Sequence, residues 1–137
     1  MSRLYMLDTN TASALIRGDE RVLAKLLEHK PEEVCISSIV AAELHFGLAN
    51  KPQAKRLAQF VMAFLDTVKV LPFEAVDAAC YGLFRAKLSA SGLTLSPLDM
   101  LIAAHAQSVG AVLVSNDKAF QRSHISDVQD WTEPSQH

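Results

Sequence analysis

Cysteine is scarce in this chain: two thiols in 137 residues, Cys35 and Cys80, are too few for a disulfide framework. Cys35 falls inside the apolar run Val34-Cys35-Ile36 and reads as a small buried thiol. Long hydrophobic runs are missing as well. The most apolar region, residues 100–114, is broken by His105, Gln107, Ser108 and Gly110 and is too short to cross a bilayer, so no membrane association is expected. The chain reaches Asp8 after only a brief apolar stretch, which is not the pattern of a signal peptide, and a soluble cytoplasmic protein is expected. Nor is there an excess of positive charge. The formal net charge is −2, whereas nucleic-acid binders are more often basic, so a nucleic-acid partner would need a local basic rim or bound cations.

What is present is an ordinary globular composition, half apolar and 20% charged, in a length typical of one domain. No repeat, low-complexity run or linker divides it, so residues 1–137 are read as a single domain with an ordered core over about 4–131 and a polar tail at 132–137. Residues 4–7 read as a short buried strand. Thr9, Asn10 and Thr11 are N-cap candidates for a helix over 12–17 that Gly18 closes. Asp19 and Glu20 open a second helix with Val22, Leu23, Leu26 and Leu27 at helical spacing. A strand at 34–36 leads to a helix capped by Ser37 or Ser38 and running to about Ala49. A further helix shows Ala54, Leu57, Ala58, Val61, Phe64 and Leu65 on one face, followed by a strand at 68–71. The next helix carries Val76, Cys80, Leu83, Phe84 and Leu88 and ends near Gly92. Ser96-Pro97 starts another that stops at Gly110, before a strand at 111–114 and a last short strand near Val128. Alternating strands and helices predict an α/β fold with a parallel sheet flanked by helices. The apolar helical faces around Phe46, Phe60 and Phe64 are open to two readings, core or partner groove, with core the default for any one of them.

Four carboxylates stand out because of where they fall. In open α/β sheets the functional crevice lies beyond the carboxyl ends of the strands. Asp8 follows the first strand directly and Asp117 comes shortly after the fourth; Glu43 and Asp99 sit in helices that can reach the same edge. Structural roles are open to some of them. Asp99 occupies the first turn of its helix in a capping-box-like Ser96-Pro97-Leu98-Asp99, and Asp117 can be a turn residue. Glu43 is harder to explain structurally, since Ile39-Val40-Ala41-Ala42-Glu43-Leu44 is otherwise apolar and an unpaired buried charge is costly. Converging carboxylates repel unless cations sit among them, and an all-oxygen ligand set suits Mg²⁺ or Mn²⁺ rather than zinc. His45 and His105 point away from the acids at about 100° per residue and are read as surface or interface histidines. Such a site suits phosphodiester hydrolysis. Lys51, Lys55, Arg56, Arg85, Lys87, Lys118 and Arg122 are candidates for a basic rim, although solvated helix faces account for most of them equally well.

Four segments carry a resemblance. Met6-Leu7-Asp8-Thr9-Asn10, Ile36-Ser37-Ser38-Ile39-Val40-Ala41-Ala42-Glu43-Leu44 with Gly47, Ser96-Pro97-Leu98-Asp99-Met100-Leu101-Ile102-Ala103-Ala104-His105-Ala106, and Leu113-Val114-Ser115-Asn116-Asp117-Lys118-Ala119-Phe120 resemble the PIN-domain ribonucleases. Their order and spacing are most similar to the VapC-type toxins of bacterial toxin–antitoxin systems. The resemblance implies a PIN-like, Rossmann-like sheet, with Asp8, Glu43 and Asp99 as acidic metal ligands and Asp117 as a more variable fourth. Thr9, Asn10, Ser115 and Asn116 would support them, and whether Asn116 or Asp117 faces the metal stays open. It further implies Mg²⁺- or Mn²⁺-dependent endonucleolytic cleavage of RNA (tRNA or rRNA), a cognate VapB-type antitoxin and a homodimer. The alternatives are a non-catalytic PIN-fold scaffold or a phosphatase using Asp8 as nucleophile. The phosphatase pattern requires an acid two residues after the nucleophile, and Asn10 stands there.

Overall fold

Short apolar strands covered on both faces are what a parallel sheet requires, and the three central strands have that character. In the computed structural model, which describes residues 3–123, 125 and 127–133, β1 (Tyr5–Leu7), β2 (Val34–Ser37) and β4 (Val112–Val114) are almost wholly buried. The more exposed β3 (Lys69–Leu71) and β5 (Val128–Gln129) form the edges. The sheet runs β3-β2-β1-β4-β5 with every pairing parallel; Leu7 aligns with Ile36 on one side and with Val114 on the other.

Parallel neighbours need helical crossovers. These are α1 (Thr9–Ile16), α2 (Glu20–Leu26), α3 (Ser38–Ala49), α4 (Lys55–Thr67), α5 (Ala75–Ala90) and α6 (Pro97–Ser108), with a short α7 (Lys118–Arg122) after β4. Asp19, Ser37 and Ser96 cap α2, α3 and α6 through their side chains, as their sequence positions predict. Gly110 at φ +71° turns the chain from α6 into β4, a conformation that a side chain would strain. The core is built on Met6, Leu7, Ile36, Ile102, Leu113 and Phe120, none of them detectably exposed. Burial of each such side chain contributes about 1.5–3 kcal/mol. Trp131, 2% exposed, closes the far end by stacking on His29 with ring centroids 5.4 Å apart. No helix among the described residues is long and apolar enough to cross a membrane.

Several expectations change. Helix α1 begins at Thr9 rather than near Ala12, because Asp8 itself is the N-cap and accepts the Thr11 N–H at 2.8 Å. The 3₁₀ turn Pro31–Glu33 and α7 are elements that the apolar periodicity did not mark. The buried face of α5 is Asp77, Phe84 and Leu88, while Val76 and Leu83 are 67% and 76% exposed. Phe46 and Phe60 also lie on the surface; of the three phenylalanines read as core by default, Phe64 alone packs against the core. Residues 134–137 of the expected polar tail fall outside the described residues.

Candidate active site

The sheet order reverses at β1, since the chain adds β2 and β3 on one side and β4 and β5 on the other. Such a switch point opens a crevice at the carboxyl ends of the two strands that flank it. Asp8 and Ser115 are the first residues beyond β1 and β4. The Asp8 N–H donates to Val114 O at 3.0 Å and prolongs the ladder by one bond, which fixes the acid at the mouth of the crevice. The Thr11 hydroxyl donates to the same carbonyl at 3.1 Å. Asp8 is 3% exposed and Ser115 is fully buried.

Burial pushes the Asp8 carboxyl above its ordinary value of 3.8. Hydrogen bonds from Ser115 and Thr11 offset part of that rise, and the charge of Asp99 adds to it. Asp99, in the first turn of α6, is therefore within electrostatic reach of Asp8. Its backbone N–H donates to Ser96 Oγ at 3.2 Å, so the helix cap is made by the serine, and the Asp99 carboxylate acts on Asp8 as a second charge. Glu43, half-buried in α3, accepts a hydrogen bond from the hydroxyl of Thr9, the residue next to Asp8. Asp117 caps α7 by accepting the Ala119 N–H at 2.9 Å, while its own N–H donates to Ser115 Oγ at 3.0 Å. Ser115 thus contacts both Asp8 and Asp117. Asn10 and Asn116 are exposed.

Asp8, Glu43 and Asp117 accordingly lie along one edge, linked through Thr9 on one side and Ser115 on the other, and Asp99 is near enough to act on the charge of Asp8. They are not closed into a cluster. Among the described residues, no three His, Cys, Asp or Glu side chains stand close enough together to hold a metal ion. One carboxylate oxygen of Asp117 accepts from its own helix and one of Glu43 accepts from Thr9.

Beside Glu43 lies a cleft of about 280 Å³ whose polar lining includes Thr9, Ser13, Arg17 and Lys51. Of the proposed basic rim, Lys51 lines this cleft; Arg17, which the sequence reading did not select, joins it. Arg17 also borders an adjoining groove with Arg56, whose guanidinium lies 5.8 Å from the Phe60 ring. Lys87 borders a different pocket, together with Cys80 and Gln107, and Arg85 is bonded to Tyr81. His45 is exposed, as expected. His105 is not: it is 1% exposed, packed between α5 and the start of α3. The helical angle that separates it from Asp99 leads into the core rather than to the surface.

The sequence signature of the PIN domain matches residues 5–124. The chain belongs to the PIN-domain family. Within it, Ribonuclease VapC2 of Haemophilus influenzae is 32% identical over 128 residues, covering 93% of this chain and 97% of that protein. The tRNA(fMet)-specific endonuclease VapC of Shigella flexneri is 30% identical over 129 residues, covering 93% and 98%. The fold is similar to that in the DNA-bound VapBC of Salmonella typhimurium, with a TM-score of 0.87 and 32% identity over 96% of this chain and 99% of that one. It is likewise similar to VapBC2 of Rickettsia felis bound to a promoter DNA fragment, with a TM-score of 0.85, 30% identity and coverage of 93% and 98%. PIN-domain VapC nucleases are generally metal-dependent.

Proposed function

We propose that this chain is the endoribonuclease toxin of a toxin–antitoxin pair, hydrolysing RNA phosphodiester bonds in tRNA or rRNA at the edge carrying Asp8, Glu43 and Asp99. The observation that carries this reading is Asp8: a buried carboxylate, raised by burial and by Asp99, at the switch point of a PIN fold. The cap that Asp8 makes for α1 would be made equally well by Asn, so the buried charge beside a second acid is not explained by the cap, and it favours a cation. Asp8, Glu43, Asp99 and Asp117 are the groups that would hold one. Their hard oxygen chemistry fits Mg²⁺ or Mn²⁺, and the separation of the side chains requires the partly exposed acids to close around the ion. When bound, the cation would supply charge neutralisation at the scissile phosphate and acidification of a water.

The chain's own residues have definable parts in this. The Ser115 and Thr11 bonds hold Asp8 at the crevice mouth. Thr9 donates to one oxygen of Glu43 and leaves the other free to bind. Arg17 and Lys51, in the same cleft as Glu43, are placed to meet phosphates despite the net negative charge of the chain. Asn116 is exposed and its neighbour Asp117 is tied into the site through Ser115, which favours Asp117 as the fourth acid. The partner would be a VapB-type antitoxin, as the VapBC neighbours suggest, and the assembly would contain a homodimer. The domain would span about residues 4–131.

The test is expression of the chain without a partner, with RNA 5′ ends mapped soon after induction. Growth arrest and new ends at discrete sites are expected, both abolished by Asp8→Asn. Normal growth with folded protein, or full cleavage by Asp8→Asn, would overturn the reading.

A further inference from the structure

Away from the acidic edge, one polar cluster lies wholly inside the molecule. Asp77 on α5 is 2% exposed, His105 on α6 is 1% exposed, and Ser37 at the end of β2 is fully buried. His105 Nδ1 is 2.8 Å from Ser37 Oγ, and Nε2 faces Asp77 Oδ2 at 3.5 Å, an electrostatic contact longer than a good hydrogen bond. Phe73 meets the imidazole edge-on at 5.3 Å. The residue types are those of a nucleophilic hydrolase triad, but no substrate can reach a fully buried Ser37 hydroxyl. The cluster therefore acts on the structure.

The proton order follows from the partners. Ser37 Oγ already accepts the Ile39 N–H at 3.0 Å as the N-cap of α3, so its own hydrogen is free to donate to His105 Nδ1. The imidazole proton then sits on Nε2, facing the carboxylate. The opposite tautomer would set the Nε2 lone pair against Asp77 and leave the Ser37 hydrogen without a use. Burial lowers the His105 pKa, only partly offset by Asp77 and Glu74, which favours the neutral ring. Burial raises the Asp77 carboxyl, but bonds from Ser108 and the Glu74 N–H and the proximity of His105 outweigh it, and Asp77 is held below its ordinary value. The hydrogen-bonded chain thus runs His105, Ser37, Ile39 N–H, while Nε2 of His105 meets Asp77 by charge alone and makes no hydrogen bond.

What this chain joins is informative. His105 lies on α6, the helix that presents Asp99, and Ser37 caps α3, the helix that presents Glu43. We infer that His105 is a positioning residue for the acidic edge: through the Ser37 hydroxyl it seats the start of α3, and so Glu43, against the helix that carries Asp99. This rests on the ribonuclease reading above, and its test separates the two.

Bulk bacterial tRNA serves as the cleavage probe. His105→Leu removes the ring nitrogens; His105→Asn keeps a carboxamide near the Nδ1 position and can hold Ser37. We expect His105→Leu to lose roughly ten- to a hundredfold in kcat, the scale of a misplaced catalytic group, with KM nearly unchanged. His105→Asn should recover most of that loss. Ring-nitrogen NMR needs no variant at the site, and should show neutral, Nε2-protonated His105 in the unmodified chain and in Asp8→Asn alike. An Nδ1-protonated or doubly protonated ring overturns the inference. So does folded His105→Leu with undiminished kcat, or His105→Asn no better than His105→Leu. Should the unmodified chain leave tRNA intact, the ribonuclease reading fails with this probe. Amide exchange at Ile39 then decides the positioning role: faster in His105→Leu and restored in His105→Asn supports it, and unchanged exchange refutes it.

Discussion

Replacing Asp8 by Asn should make the protein more stable while removing its activity, and the sign can be worked from the site. Asn is as good an N-cap as Asp, so the bond from the Thr11 N–H survives. Losing a negative charge at the start of α1 costs about 0.3–1 kcal/mol. Against this, the charge is 3% exposed and faces Asp99, and its folded-state pKa is raised by burial despite every favourable hydrogen bond. The net direction says that the folded state disfavours the ionised form. Removing it should stabilise by on the order of 1 kcal/mol, the scale of an ordinary stabilising substitution. For a domain of this size that is a rise of roughly 3–5 °C in Tm. The pH dependence follows from linkage. A raised folded pKa means that the folded state binds the proton more tightly, so the penalty is absent below the unfolded value of 3.8 and fully present above the folded pKa. Thermal melts of both proteins without divalent cation should differ at neutral pH and converge as pH falls through that window. Asp8→Asn melting at or below the unmodified chain at neutral pH, or a gap that does not change with pH, would refute the reasoning.

Three further outcomes are expected. Trp131→Ala removes a 2%-exposed ring stacked on His29 and should cost about 3–5 kcal/mol in denaturant unfolding, a large loss for a residue so near the end of the sequence. Burial pushes the Cys35 thiol up to about 12, so iodoacetamide at neutral pH should label Cys80 and spare Cys35 until the protein unfolds; mass spectrometry of the labelled peptides reads this directly. Asp117→Ala should lose about 1 kcal/mol with the cap of α7 and lower RNA cleavage, whereas exposed Asn116→Ala should change stability by no more than about 0.5 kcal/mol.

Local chemistry in the sequence was enough to determine much of this protein. Ser37, Ser96-Pro97 and Asp19 mark helix starts because their side chains and ring geometry act within three residues. The apolar runs around Met6, Ile36 and Leu113 announce strands buried on both faces, and four acids follow strands or sit where helices reach the same edge. What the sequence could not decide depends on which faces meet. Val76 and Leu83 have core-like side chains, yet α5 turns them outward, because the inner stripe is the one carrying Asp77, Phe84 and Leu88. His105 points away from Asp99 as the helical angle demands, and only the packing of α6 against α5 and the start of α3 makes that direction an interior one. Arg17 became part of the Glu43 cleft because α1 lies against α3 and α4. Asp8, Glu43 and Asp117 share an edge through the parallel register of β1 and β4 and the Thr9 and Ser115 bonds, with Asp99 near enough to act on Asp8; their spacing along that edge is set by tertiary structure. Sequence fixes what each residue can do locally, while burial, partner and distance are properties of the packed chain.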